Sequence, residues 1–234
     1  MPVHVQRIVL IRHDTSIANL DPGVYKRMPD HTIPLVNSRS EAMLRAIEVV
    51  GTLGLSTEET VAWCSPYVRC EQTQDAVLSG VFGAAASLVR RRESFLLREQ
   101  EFGDWDSLTD AEAARELPRS FVKRKLLTDN LGKFYFRYPN GESRADVAQR
   151  MIAFIGKMHR SDYADHVVFL HGVTQRAFRM AWLNREVDWF EDEPNPKNAS
   201  VMLLRRDAER RWIERYLPDG EEIACARVRR DRAE

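Results

Sequence analysis

Two stretches of this chain are apolar at every position, not at alternate ones: Ile8-Val9-Leu10-Ile11 and Val167-Val168-Phe169-Leu170. A strand with one wet face alternates, so an unbroken run predicts a strand covered on both faces, as in a parallel sheet. The first is expected over Arg7 to Ile11 and the second over His166 to Leu170. Shorter strands are expected at Thr60 to Cys64, Ser87 to Val89, Ala199 to Leu204 and Arg211 to Tyr216. Helical periods fill the gaps. Ser38-x-x-Glu41 reads as a capping box opening a helix with Met43, Ala46, Ile47 and Val50 inward, closed by Gly51 and Gly54. Ser65-Pro66 reads as an N-cap followed by proline at the first helical position, for a helix to about Leu78. Gly141-Glu142-Ser143 opens a helix with Ala148, Met151, Ile152 and Ile155 inward, and Val173 to Leu183 forms another.

Strands alternating with helices predict an α/β fold: three layers, α/β/α, with a mostly parallel central sheet. The stretch from Asp106 to about Arg137 is charged, irregular and interrupted by Pro118, and is read as an inserted helical lid. The expected organisation is one domain over residues 1–225, with the lid at about 106–138 and a charged tail at 226–234. The chain has 234 residues, enough for one sizeable core.

Composition narrows the function classes. Lys plus Arg and Asp plus Glu are equal at 35 each, so net charge gives no support for nucleic-acid or membrane binding. Cys64, Cys70 and Cys225 form no C-x-x-C pair and are odd in number, which argues against a disulfide framework and for a reducing, cytoplasmic setting. The start of the chain lacks the pattern of a signal peptide, and no stretch approaches the roughly 20 apolar residues of a membrane helix. Oligomeric state stays open, a homodimer included.

Candidate chemistry clusters where strands end. Arg12 and His13 close the first strand, with Ser16 and Asn19 just beyond. Ser65-Pro66 follows the second, with Arg69 in the next helix's first turn, and His171-Gly172 closes the later apolar strand. If these strands are parallel neighbours, all three junctions meet at one carboxyl edge, where α/β proteins bind ligands. Two guanidiniums, two imidazoles and helix N-termini would suit a phosphoryl dianion. A neutral histidine with one ring nitrogen held can attack phosphorus through the other, and a charged second histidine could neutralise oxygens in the transition state. Acid groups to protonate a leaving oxygen are on hand in Glu99, Glu101, Asp104 and Asp106.

The order of these motifs resembles the histidine phosphatase superfamily, phosphoglycerate-mutase-like branch. That family's opening Arg-His-Gly matches Arg12-His13-Asp14, with Ser16 and Asn19 following. Its Ser-Pro-x-x-Arg-x-x-x-Thr matches Ser65 to Thr73, its Glu-x-x-x-Gly-x-Trp-Glu matches Glu99 to Asp106, and its final His-Gly matches His171-Gly172. "PDHTIPL" and "YPNGES" also look like a phosphatase-like subgroup. The resemblance spans about Arg7 to Arg205. It implies that His13 is the nucleophile and carries a phosphohistidine. It implies that Arg12, Arg69 and His171 hold the phosphoryl oxygens with Ser16, Asn19 and the Gly172 amide, and that Glu99 is the proton donor. It implies no metal and no other cofactor, and a small-molecule phosphate ester as the substrate.

Asp14 stands where the family usually has glycine, and adds negative charge near a dianion. It is expected to point away from the pocket or to pair with a base. Leu170 replaces a small polar residue and Asp106 a glutamate. A mutase ranks below a phosphatase because the mutase motif Arg-x-Tyr-Gly-x-Leu is missing from the acid segment. An inactive phospho-ligand-binding protein is the third alternative, kept open by Asp14. The basic runs Arg90-Arg91-Arg92 and Lys123-Arg124-Lys125 read as solvated faces, and Phe134, Tyr135, Phe136 and Tyr138 as lid core.

Overall fold

A computed structural model describes residues 5–106 and 108–218, and the backbone of 223–224. Cys225 and the 226–234 tail lie outside the described residues. Seven strands form one sheet in the order β3-β2-β4-β1-β5-β6-β7. They are β1 (Arg7–Arg12), β2 (Thr60–Cys64), β3 (Arg90–Glu93), β4 (Asp165–Leu170), β5 (Val201–Arg206), β6 (Trp212–Leu217) and β7 (Ile223–Ala224). The four strands β3, β2, β4 and β1 run parallel; β5 to β7 add an antiparallel edge. The helices are α1 (Ile17–Leu20), α2 (Glu41–Gly51), α3 (Val68–Phe82), α4 (Asp110–Glu116), α5 (Pro118–Leu131), α6 (Arg144–His159), α7 (Gly172–Leu183) and α8 (Val187–Asp192).

The unbroken apolar runs have the reason expected of them. Ile8 and Leu10 of β1, with Val168 and Leu170 of β4, face a core made with α6 and α7: Met151, Phe154, Ala177 and Phe178. Val9 and Ile11, with Val167 and Phe169, face a second core against α2 and α3: Met43, Ala46, Val77 and Leu78. Two helical layers thus clamp the sheet, and its central strands carry no wet face. No helix among the described residues is long and apolar enough to cross a membrane.

Several local readings shift. Ser40, not Ser38, caps α2; its hydroxyl accepts from the Met43 amide. The strand expected at Ser87 to Val89 forms instead at Arg90–Glu93, because an edge strand has a solvated side and tolerates charge. Tyr67 occupies the N-cap position of α3, so Ser65 does not cap it. Ile152 is 63% exposed; the buried face of α6 is Val147, Arg150, Met151, Phe154 and Met158. An arginine on that face is unusual. Pro118 starts α5 rather than breaking a helix.

Residues 106–138 hold α4 and α5, seated on an aromatic floor. Trp105 packs against Phe136, Tyr138 and Phe121, and the Arg124 guanidinium lies 5.0 Å over its ring. Phe134 and Phe136 are buried, whereas Tyr135 is exposed.

Candidate active site

β2, β4 and β1 are neighbours, so the three junctions meet. The His13 amide donates to the Leu170 carbonyl at 3.0 Å, and the Ser65 amide to the Phe169 carbonyl at 3.0 Å. This stitches the ends of all three strands at one edge. The rings of His13 and His171 approach edge to face with centroids 5.1 Å apart. Both are buried.

His13 has its tautomer set by the backbone. Its Nδ1 lies 2.7 Å from the Asp14 carbonyl, which only accepts, so Nδ1 carries the proton. Nε2 then keeps a lone pair. Burial, with Arg69 and Arg12 nearby, pushes the His13 pKa well below its ordinary value. The ring is therefore neutral, with its free nitrogen available.

His171 is oriented differently. Its Nε2 sits 2.9 Å from the Ser65 hydroxyl and 3.5 Å from the Cys70 thiol, and the Tyr67 ring packs on it at 4.9 Å. Its Nδ1 is buried and has no protein partner. Burial, then Arg69 and His13, push its pKa well down, so this imidazole is also neutral. When the Ser65 hydroxyl donates to Nε2, Nδ1–H remains as a donor. Ser65, expected as a helix cap, instead orients His171 through its hydroxyl.

The arginines are held from behind. Arg12 donates through Nη1 to the Pro196 carbonyl, while its buried Nε is unpaired. Burial lowers its pKa, and the Glu99 charge works in the opposite direction. Arg69 donates through Nη1 to both the carbonyl and the carboxylate of Asp30, each at 2.7 Å. A side chain at Gly172 would press its Cβ to 3.2 Å from Asn195 Oδ1 and lie in ordinary contact, 3.6 Å, with Arg12 Cζ. Gly172 begins α7, whose end has no side-chain cap.

Ser16 and Asn19 are placed together but face each other. The Ser16 amide and hydroxyl both donate to Asn19 Oδ1, at 2.9 and 3.1 Å. Asn198 Nδ2 adds a bond to that oxygen at 3.0 Å and reaches the His13 carbonyl at 3.4 Å. Asn19 is exposed, and with its oxygen occupied it can offer only its amide N–H groups outward.

Glu99 is half-buried on the wall of a cavity of about 410 Å³, with Tyr25, Asp30, Phe102, Trp105 and Asp106 among the lining residues. Thr174 of α7 donates to the Arg98 carbonyl at 2.8 Å and approaches Glu99 Oε1 at 3.3 Å. Asp104 is engaged by Asn140 and Glu101 by Arg98, which leaves them no place on this wall. Neither basic run lines the cavity, nor does Arg137. Among the described residues no cluster of three His, Cys, Asp or Glu side chains is arranged to hold a metal ion.

Asp14 does not pair with a base. Its Oδ1 accepts from the Thr15 amide at 2.7 Å, its Oδ2 accepts from the Ser40 hydroxyl at the start of α2, and its own amide donates to Thr73 Oγ1 at 3.1 Å. The carboxylate ties the loop after His13 to α2, where the helix N-terminus favours negative charge. We expect Asp14→Gly to bind inorganic phosphate no tighter than the parent, and to lose about 1–3 kcal/mol of stability from the groups left unpaired. Phosphate inhibition constants and urea melts check both; a clear gain in phosphate affinity would mean the carboxylate acts on the site.

The model of the histidine phosphatase superfamily (branch 1) matches residues 8–217. The chain belongs to this superfamily. It is 30% identical over 215 residues to the phosphoglycerate mutase-like protein AT74 of Arabidopsis thaliana, covering 85% of this chain and 64% of that protein. It is 30% identical over 155 residues to the broad-range acid phosphatase DET1 of Saccharomyces cerevisiae, covering 63% of this chain and 42% of that one. The structure of a mycobacterial glucosyl-3-phosphoglycerate phosphatase complexed with VO3 superimposes with a TM-score of 0.64 at 25% identity, covering 91% of this chain and 98% of the other. The chain thus spans just under two thirds of the length of AT74.

Proposed function

We propose that this histidine-phosphatase-superfamily member hydrolyses small phosphate monoesters through a phosphohistidine. One observation carries the reading: a neutral imidazole whose Nδ1 is tied to the Asp14 carbonyl, leaving Nε2 free beside a second imidazole and two arginines. In the first step Nε2 of His13 forms a bond to phosphorus. The ester oxygen departs with the proton of Glu99. In the second, the Glu99 carboxylate takes a proton from water, the water oxygen bonds to phosphorus, and His13 recovers its lone pair as phosphate leaves. Arg12 through its unpaired Nε, Arg69, the Nδ1–H of His171 and the Gly172 amide stabilise the phosphoryl oxygens. Ser16 and Asn19 contribute less directly, by shaping the loop and through the Asn19 amide. These groups supply the positive field without a metal. Residues 106–138 act as the lid of a single domain.

The cavity beside Glu99 bears on the leaving group. Tyr25, Phe102 and Trp105 offer flat apolar surface, and its basic side chain, Lys26, is bound to Glu112 at 2.7 Å. The Asp30 carboxylate on its wall is already bound to Arg69, and Asp106 is the other aspartate lining it. Ring-containing, uncharged leaving groups fit this better than a second phosphate, which also places the mutase reading second. The test is a panel of phosphate esters assayed with and without a chelator. Aryl monophosphates are expected to exceed sugar bisphosphates in kcat/KM by about tenfold or more, the scale of one or two polar mismatches, with no loss on chelation. A preference for bisphosphates, or chelator-sensitive turnover, would contradict the reading.

A further inference from the structure

The segment Tyr138 to Ser143, "YPNGES", carries none of the groups assigned above, yet its backbone lies directly against the acid loop. The Asp104 amide donates to the Pro139 carbonyl at 3.0 Å, and the Glu142 amide to the Glu101 carbonyl at 2.8 Å. A Cβ on Gly141 would stand 2.5 Å from the Glu101 carbonyl oxygen, and one on Gly103 would stand 2.1 Å from that of Pro139. Both positions must be glycine for the two backbones to touch, and Gly103 also has a φ of +54°. Asn140 reaches over to the Asp104 carboxylate at 3.0 and 3.1 Å.

Glu142 is the centre of this contact. Its Oε1 accepts from Arg98 Nη2 at 2.8 Å and from Arg150 Nε at 3.0 Å. Its Oε2 accepts from Arg150 Nη2 at 3.1 Å and from the Glu101 amide at 3.2 Å. Its carbonyl accepts from Gln100 Nε2 at 2.9 Å. Arg150, on the buried face of α6, completes the frame: it donates to the Leu96 carbonyl and, at 3.1 Å, to the carbonyl of Glu99 itself. The backbone on both sides of Glu99 is therefore bound to one buried carboxylate–guanidinium pair, whose bonds outside the pair go to Leu96, Arg98, Glu99 and Glu101.

We propose that Glu142 and Arg150 are positioning residues that aim the Glu99 carboxyl at the leaving oxygen. The proposal rests on the reading of Glu99 as the proton donor. A proton donor matters most when the leaving group is poor, and a displacement of about 1 Å can cost on the order of 10²-fold in rate. Loosening the frame should therefore act on the leaving-group step and spare phosphoryl binding.

The experiment compares the parent, Glu99→Gln, Glu142→Gln and Arg150→Lys in the full chain, using p-nitrophenyl phosphate as a good leaving group, 2-glycerophosphate as a poor one, and vanadate inhibition as the measure of phosphoryl binding. Glu142→Gln is expected to lose about 10²-fold in kcat on 2-glycerophosphate and less than about threefold on p-nitrophenyl phosphate, with vanadate affinity held. Combining it with Glu99→Gln should add little further loss, because the group being aimed is already gone. Arg150→Lys, which keeps the charge, is the fallback should Glu142→Gln fold poorly, and is expected to show the same selectivity at smaller size. An equal loss on both substrates, or losses that multiply in the double variant, would overturn the proposal and leave Glu142 a structural residue. If Glu99→Gln itself shows no leaving-group selectivity, the proton-donor assignment falls, and the proposal falls with it. The two failures are therefore told apart by the Glu99→Gln arm alone.

Discussion

His13→Ala is expected to reduce turnover of p-nitrophenyl phosphate by on the order of 10⁴-fold or more, the scale seen when a covalent nucleophile is removed. The argument is geometric. With Nδ1 held by the Asp14 carbonyl, Nε2 of His13 keeps a lone pair in a ring 5.1 Å from the second imidazole, whereas the nearby Cys70 thiol is buried with its pKa pushed up to about 12. The parent is also expected to trap labelled phosphate on His13 when quenched during turnover, and the variant to trap none. The same burial fixes the sign of the pH response. A histidine whose folded pKa is pushed down stays neutral as pH falls through about 6.5, where an exposed ring would take up a proton. By NMR the His13 ring should show no titration near that pH. A variant that keeps a tenth of the parent's activity would remove His13 from its role.

The second large effect concerns stability. Glu214 of β6 is 1% exposed and accepts from Arg179 of α7 through Nε at 2.7 Å and Nη2 at 2.9 Å, with Arg185 as a further partner. Arg179 is 2% exposed and also binds Glu193. Truncating one member of a buried pair leaves the other charge without compensation. Glu214→Ala is accordingly expected to destabilise the fold by about 3–5 kcal/mol, or roughly 6–20 °C in Tm for a chain of this size. Glu193 and Tyr216 still face Arg179, which favours the lower half of that range. Replacing both partners, as Arg179→Met with Glu214→Leu, should be milder than Glu214→Ala alone, since both fully buried charges go together and the Glu193 and Arg185 left behind are partly exposed. Thermal melts of the three proteins decide it; a Glu214→Ala shift under 2 °C would show that solvent reaches the pair. Because α7 begins at Gly172, loss of this network should also loosen the His171 end of the site.

Much of the site was legible because short motifs encode local geometry. Arg12-His13 and His171-Gly172 follow unbroken apolar runs, and a strand covered on both faces ends at the edge where ligands bind. Arg69, four residues after Ser65, falls in the first turns of α3 by helical spacing alone. Other residues could not be read this way, because their partners are distant in the chain. Ser65 looked like a helix cap, and 106 residues separate it from the imidazole it orients. Ser38 fits the capping-box spacing to Glu41, but Ser40 caps α2 and makes a second bond to Asp14, 26 residues away. Ile152 fits an apolar helical face, but the position beside Met151 that turns inward is Arg150, whose partners lie on the acid loop.

Periodicity and motif order by themselves determined the layers of this protein, its parallel core and the identity of the groups that could meet a phosphoryl dianion, because backbone hydrogen bonding and burial act over a few residues and leave a local trace. The tertiary structure alone decided which strands are neighbours, which hydroxyl orients His171, where the Asp14 carboxylate goes and how the Glu99 loop is braced. Those outcomes depend on contacts between residues that are far apart in sequence, and a side chain's choice among competing partners is settled only once packing has excluded water and brought one of them within reach.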